Sequence, residues 1–234
     1  MARHILSALA RLLHRPTSRG QATGLNIRPA ATKEEVQAIH TLITEQVPYP
    51  SFVPLPETLP DRNNHLHREL VGAWRDSHLV GAAFIGPAEQ EADHPARLGL
   101  HDDAKTILDN VAMIHDLAVE PAHRRQGIAL ALKHWLATWA RDHGTHLILS
   151  VPMNQASRDL NEAAHYIVLP PNITLVIQIK ANRRTYAFPS NEGTTWALHL
   201  LTDTPNAPIR VGVHPPAPNP RPGHQHLTRV AFLN

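Results

Sequence analysis

Apolar residues return at helical steps through two long stretches of the chain and run or alternate through several shorter ones. Between Lys33 and Gln46, Val36, Ile39, Leu42 and Ile43 share one face, which predicts an amphipathic helix. Thr32 is placed to cap it, with Glu35 three residues on as the partner of a capping box. Between Arg125 and His143, Ile128, Leu132, Trp135, Leu136 and Trp139 recur at three- and four-residue steps, and Gly144 is placed to end that helix. Shorter apolar runs predict strands at Leu25–Arg28, Leu70–Trp74, Leu79–Ile85, Val111–Val119, His146–Val151 and Ile173–Ile179, with a short helix at Ala156–Ala164. Arg75-Asp76-Ser77-His78 between the second and third strands is a hairpin signal.

The connecting stretches are uneven. Val47 to Asp61 is broken by repeated prolines but carries Tyr49, Phe52, Val53 and Leu55. Pro87 to Asn110 reads as polar and irregular. The order β-α-loop-β-β-β-α-β-α-β defines a mixed α/β domain over residues 25–182. Residues 183–234 form a Pro-rich C-terminal extension, with short strands available at Trp196–Leu201, Ile209–Val213 and Thr228–Phe232. Residues 1–24 form an N-terminal extension and linker. There Ile5, Leu6, Leu9, Leu12 and Leu13 make a short amphipathic helix among arginines, ended by Pro16. An acid-free start of this kind is compatible with a transit peptide, a membrane-surface helix or a helix docked on the same chain.

Composition narrows the chemistry. The chain has no cysteine, which removes disulfides, thiolate metal sites and a cysteine nucleophile, and fits a reducing compartment. Location is therefore expected to be cytoplasmic, or an organelle matrix if residues 1–20 are a transit peptide. A formal charge of +2 gives no reason to expect nucleic acid as a partner. No apolar run approaches the roughly 20 residues of a transmembrane helix. Among the 18 histidines, His65-x-His67 and His224-x-His226 could share a strand face, but neither pair has a third ligand at a suitable spacing, so no metal site is expected.

The informative run is Ile114-His115-Asp116-Leu117-Ala118-Val119 followed by Arg124-Arg125-Gln126-Gly127-Ile128-Ala129. A strand enters a sharp turn that opens a long helix. A helix N-terminus presents unpaired N–H groups and partial positive charge, which suits a diphosphate. Gly127 brings no Cβ to hold the phosphates away, and Arg124 and Arg125 add charge nearby.

Arg124, Gly127 and Ala129 match the pattern (Arg/Gln)-x-x-Gly-x-(Gly/Ala), and the region resembles the GNAT N-acetyltransferase superfamily. The resemblance is strongest from Ile114 to Ala164 and architectural from Leu25. It implies the acyl-CoA N-acyltransferase fold, a mixed, splayed central sheet flanked by helices, with acetyl-CoA as acyl donor. It further implies that Leu117, Ala118 and Val119 line the pantetheine arm, that Arg124, Arg125, Gln126, Gly127, Ile128 and Ala129 take the pyrophosphate, and that Asn154 closes the site. An amine would attack the thioester directly, with the Leu117 N–H steadying the oxyanion.

His115 is the candidate base. Strict alternation would put it on the face of Leu117, with Asp116 turned away, and an imidazole near its ordinary pKa of about 6.5 accepts protons at neutral pH. The family's usual Tyr general acid falls, in the register set by Asn154, on Asn161, which cannot donate a proton. Tyr166 and Ser157 are the candidates to replace it. Acceptor readings are a small-molecule or protein amine, with an apolar wall from the Pro-rich loop, and a homodimer is an open option. A non-catalytic acyl-CoA binding module, regulatory or scaffolding in role, is the alternative that Asn161 invites.

Overall fold

The computed structural model describes residues 24–48, 53–64, 67–190, 194–201, 207–214 and 230–233. The N-terminal helix, Tyr49, Phe52, His65, His224, His226 and Thr228 fall outside them.

Among the described residues, five α-helices and eleven strands follow in chain order: β1 (Leu25–Pro29), α1 (Lys33–Gln46), β2 (Glu69–Arg75), β3 (His78–Pro87), α2 (Glu89–Arg97), α3 (His101–Asn110), β4 (Val111–Val119), α4 (Ile128–Asp142), β5 (Leu147–Ser150), α5 (Gln155–Ala163), β6 (Ile167–Val168), β7 (Thr174–Ile179), β8 (Thr185–Phe188), β9 (Ala197–Leu200), β10 (Ile209–His214) and β11 (Ala231–Phe232). A seven-stranded sheet runs β1-β2-β3-β4-β5-β9-β6, and a second, four-stranded sheet runs β11-β10-β7-β8. In the large sheet only β4 and β5 are parallel, from Val111–Leu147 to Ile114–Ser150. There the pairing stops while β4 runs on to Val119, so the two strands part. This is the mixed, splayed sheet with flanking helices that the sequence implies.

Local chemistry sets the framework. Thr32 Oγ1 accepts from Glu35 N at 3.3 Å, while the Glu35 carboxylate accepts from Ala31 N and pairs with Arg28 through two short bonds of 2.7 and 2.6 Å. The Asp76 and Ser77 pair turns the β2–β3 hairpin with both residues at positive φ, as a two-residue loop requires. Gly144, at φ +75, ends α4, with Thr145 N reaching back to Ala140 O at 2.9 Å.

Three packed clusters hold the layers. Val36, Ile39 and Ile43 of α1 lie with Leu70, Ala82 and Phe84 on one face. Ile128, Leu132 and Leu136 of α4 lie with Val80, Ile114 and Ile148. The third cluster joins Val111, Met113, Leu147 and Leu149 to Leu175, Ile177 and Val211 of the second sheet.

Three expectations change. Residues 87–110 are not irregular but hold α2 and α3, whose inward positions are Ala92, Ala104 and Ile107. Pro95 and the inward acids Glu91 and Asp103 conceal their periodicity. α4 begins at Ile128, because Arg125 and Gly127 take left-handed conformations before it. Within the segment read as a C-terminal extension, β9 is a strand of the large sheet, pairing antiparallel with β5. Short β6 and β8 escaped the pattern, and β11 is only Ala231–Phe232.

Candidate active site

The turn from β4 into α4 forms the first half of the site. Pro121–His123 makes a single 3₁₀ turn, Arg125 stands at φ +63 and Gly127 at φ +80. Gly127 caps α4 with no side-chain hydrogen bond, and a Cβ placed there would meet nothing within 4 Å. The first-turn N–H groups of α4 therefore open toward free space, with exposed Arg125 beside them. Such a cradle fits a diphosphate. The Arg124 side chain is committed elsewhere, donating to Val119 O at 3.1 Å and Gln46 Oε1 at 2.8 Å. Gln126 Oε1 accepts from Arg75 at 2.9 Å. Of this loop, then, it is mainly backbone that faces outward.

The second half is a cavity of about 260 Å³ where β4 and β5 part. Its walls come from β4 (His115, Asp116, Leu117), the end of β5 and the following turn (Ser150 to Asn154), α5 (Ser157, Asn161) and Lys133 of α4. A neighbouring cavity of about 580 Å³ shares Asp116 and Gln46–Pro48 and is otherwise lined by His40, Glu45, Val53 and Leu55 among others. Ala118 is buried toward α1, and Val119 packs beside the α4 cluster.

His115 does not share a face with Leu117. Phe84 pairs with Asp116 but Ile85 with Ile114, so His115 is the extra residue of a β-bulge. The bulge resets the alternation. His115 stacks on Phe84 at 4.7 Å, Phe84 packs in the α1 cluster, and Leu117 packs against the α4 cluster. Asp116, expected to face away, lines the same cavity as His115. Burial pulls His115 down to about 4, with Glu89 and Arg68 exerting smaller, opposed effects. Its proton affinity is thus far from that of a free imidazole.

Asn154 and Ser157 form a reciprocal cap on α5. Asn154 Oδ1 accepts from Ser157 N at 2.9 Å, and Ser157 Oγ donates to Asn154 O at 2.8 Å. The Ser157 hydroxyl proton is already committed there. Tyr166 is 4% exposed and lies outside the cavity lining, and its hydroxyl finds no hydrogen-bond partner among the described residues. Burial raises its pKa well above the ordinary tyrosine range.

Sequence reading missed Lys133. It is 2% exposed, donates from Nζ to Asn161 Oδ1 at 2.6 Å and sits 3.9 Å from the centre of the Tyr166 ring. Burial pulls its ammonium down to about 7. The available signal was its place three and four residues from Ala129, Leu136 and Ala137, on the inward stripe of α4.

Among the described residues, no group of three or more His, Cys, Asp or Glu side chains could hold a metal ion, and no helix is long and apolar enough to cross a membrane. His67, of the first His-x-His pair, packs instead against Trp139 and His143.

A diphosphate cradle at a helix start, beside a cavity between parting parallel strands, defines an acyl-CoA N-acyltransferase fold. Residues 36–166 match the model of the acetyltransferase (GNAT) family, more than half of the chain, and the chain belongs to that family. It is an acyltransferase. In fold it is similar to the yncA protein of Salmonella typhimurium, solved with its cofactor acetyl-CoA, at 16% identity and a TM-score of 0.50, covering 79% of this chain and 98% of that one. It is likewise similar to a GNAT-family protein from Desulfovibrio desulfuricans, at 14% identity and a TM-score of 0.50, covering 76% and 99%. No curated protein matches it significantly in sequence.

Proposed function

We propose that this protein moves an acetyl group from acetyl-CoA to a primary amine of a small molecule or a protein, by direct attack of the amine on the thioester. The carrying observation is the uncapped start of α4 at left-handed Gly127, set beside the cavity where β4 and β5 part. Backbone N–H groups from Arg124 to Ala129 hold the diphosphate, with charge from Arg125. The backbone of Leu117 and Val119 offers the pantetheine arm a strand to pair with, and the Leu117 N–H steadies the developing oxyanion. Asn154 closes this end of the site.

His115 receives the amine's proton. With its pKa held near 4 it is neutral at any physiological pH. As a weak base, it takes the proton only once the nitrogen is made acidic by bonding to the acyl carbon. The neighbouring cavity holds the acceptor: Val53 and Leu55 supply apolar wall, and Asp116 and Glu45 supply carboxylates suited to an amine. The catalytic domain takes in residues 25–182 together with β9, which covers the outer edge of β5. The lack of cysteine supports work in a reducing compartment such as the cytoplasm.

Thermal shift with acetyl-CoA, then thiol release with a panel of amines, tests the reading. Acetyl-CoA at about 100 times its Kd should stabilise the fold by about 2.7 kcal/mol. No shift at millimolar acetyl-CoA would overturn it, and a shift without turnover on any amine would leave a binding module in its place.

A further inference from the structure

Lys133 is a buried basic side chain in the wall of the cavity, set apart from the turn that opens α4. It stands six residues beyond Gly127, about 9 Å along the helix axis. It lines the cavity with Asn154, Ser157 and Asn161 of α5, opposite the point where β4 and β5 part. Asn161 is seven residues, two helical turns, below Asn154 and shares its face. Its amide orientation is fixed: Nδ2 donates to Ser157 O at 2.7 Å, so Oδ1 must be the atom turned toward Lys133 Nζ, 2.6 Å away. The ring of Tyr166 carries the cation from a second side, at 3.9 Å. Among the described residues Lys133 meets a single carbonyl and a ring face and bonds to no carboxylate, a setting costly for a buried ammonium.

We propose that Lys133 is the proton donor to the departing thiolate, with Asn161 as the residue that positions it. The inference rests on the acetyl transfer proposed above. The amine nitrogen forms its bond to the acyl carbon and gives one proton to His115. The carbon–sulfur bond breaks, its electron pair leaves on sulfur, and Lys133 passes one proton to that sulfur. Solvent returns one proton to Lys133 and accepts the proton held by His115. Burial lowers the ammonium's pKa to about 7, so it gives its proton readily to a thiolate whose thiol is the weaker acid. Asn161, at the position that deprives the α5 face of a tyrosine hydroxyl, becomes the hydrogen-bond acceptor that aims the substitute.

The other titratable groups around Lys133 do not duplicate this role. Tyr166 presents its ring face and is held protonated by burial. His199 of β9 stacks on Tyr166 at 4.7 Å and is pushed below its ordinary range, first by burial. His115 and Asp116 lie on the β4 wall.

The test needs no acceptor. Coenzyme A and desulfo-coenzyme A are bound to wild type, Lys133→Met and Asn161→Leu, and the bound thiol is titrated by the ultraviolet absorbance of its thiolate. In wild type the bound thiol and Lys133 should titrate as a coupled pair, displacing the rise of thiolate absorbance from that of free coenzyme A, and coenzyme A should bind more tightly than the desulfo analogue. Lys133→Met should lose both effects while binding desulfo-coenzyme A as wild type does, and Asn161→Leu should weaken both. Identical thiol titrations in wild type and both variants, with binding intact, would overturn the role of Lys133 and leave the cofactor reading standing. Failure of wild type to bind either compound would overturn both. With any amine that turns over, Lys133→Met should lower kcat about 10²-fold without moving the KM for acetyl-CoA. A rise in KM with kcat unchanged would also overturn it.

Discussion

Replacing Lys133 with methionine should change how the fold responds to pH, independently of any ligand. The side chain is 2% exposed, and burial lowers its pKa from 10.5 to about 7. The folded pKa lies below the unfolded one, so between about pH 7 and pH 10.5 the unfolded chain binds more protons. Stability therefore rises with pH across that window, and the burial penalty is felt in full below it. Carried over the whole window, the displacement corresponds to about 5 kcal/mol, of which about 3 kcal/mol falls between pH 7 and pH 9.5. Methionine fills a similar aliphatic volume and has nothing to titrate. It leaves Asn161 Oδ1 without its donor, at a cost of about 1–3 kcal/mol. Lys133→Met should thus be as stable as wild type or somewhat more so at pH 7. It should also lack about 3 kcal/mol of the wild-type gain between pH 7 and pH 9.5. Urea unfolding at several pH values, read as midpoint and slope for both proteins, measures this directly. Parallel stability curves for the two proteins would refute the burial of a titrating ammonium at this position.

Gly127→Ala should weaken acetyl-CoA binding and cost about 1–2 kcal/mol of stability, because a Cβ at φ +80 is strained even though the space beside it is open. Gly127→Glu should abolish binding in calorimetry, and retained affinity would refute the phosphate cradle. His115→Ala should reduce kcat at unchanged acetyl-CoA affinity. With the imidazole pKa near 4, the acid limb of kcat/KM in wild type should lie near pH 4, and an acid limb near 6.5 lost in the variant would show an exposed imidazole instead. Glu35→Gln should lower stability at pH 7 by about 1 kcal/mol after allowance for solvent screening, since the Arg28 partner is 35% exposed. Arg28 first, then the backbone of Ala31, holds the Glu35 pKa near 2 against burial. The effect should be present above about pH 5 and fade as pH falls toward 2, as chemical unfolding at stepped pH would reveal.

How much of this was legible in the sequence depends on whether a single period carried the information. α1, α4 and β4 announce themselves because apolar residues recur or run through most of each. α2 and α3 do not, since Pro95 sits inside one of them and each turns an acidic residue, Glu91 or Asp103, inward beside Ala92, Ala104 and Ile107, which breaks the apolar stripe. β7, β9 and β10 are legible as apolar runs, but which sheet each joins is not, for another reason. Strands as short as Ala197–Leu200 are defined by their partners, here β5 and β6, and partners far along the chain leave no local trace. The same limit explains His115. Alternation along β4 assumes an unbroken ladder, and the bulge opposite Phe84 and Ile85 exists only in the pairing with β3.

The deeper lesson concerns Asn161 and Lys133, which no single motif connects. Read along the chain, Asn161 is an amide where the family resemblance implies a proton donor, and Lys133 is one more charge on a helix. Read in space, the two are one unit. The Asn161 amide donates to Ser157 O and so must offer its oxygen to Lys133, while Tyr166 supplies only its ring. A tyrosine at position 161 would compete with the lysine for the same buried space. A tyrosine at position 161 and a buried Lys133 should therefore exclude one another. Restoring tyrosine with Asn161→Tyr should crowd Lys133 and destabilise the wild-type background by about 1–3 kcal/mol, the usual cost of overpacking. The same change combined with Lys133→Ala, which clears the space, should be tolerated. If denaturant unfolding shows the two changes to be additive, the lysine and the amide are merely neighbours; if the double variant recovers stability, they are two halves of one device.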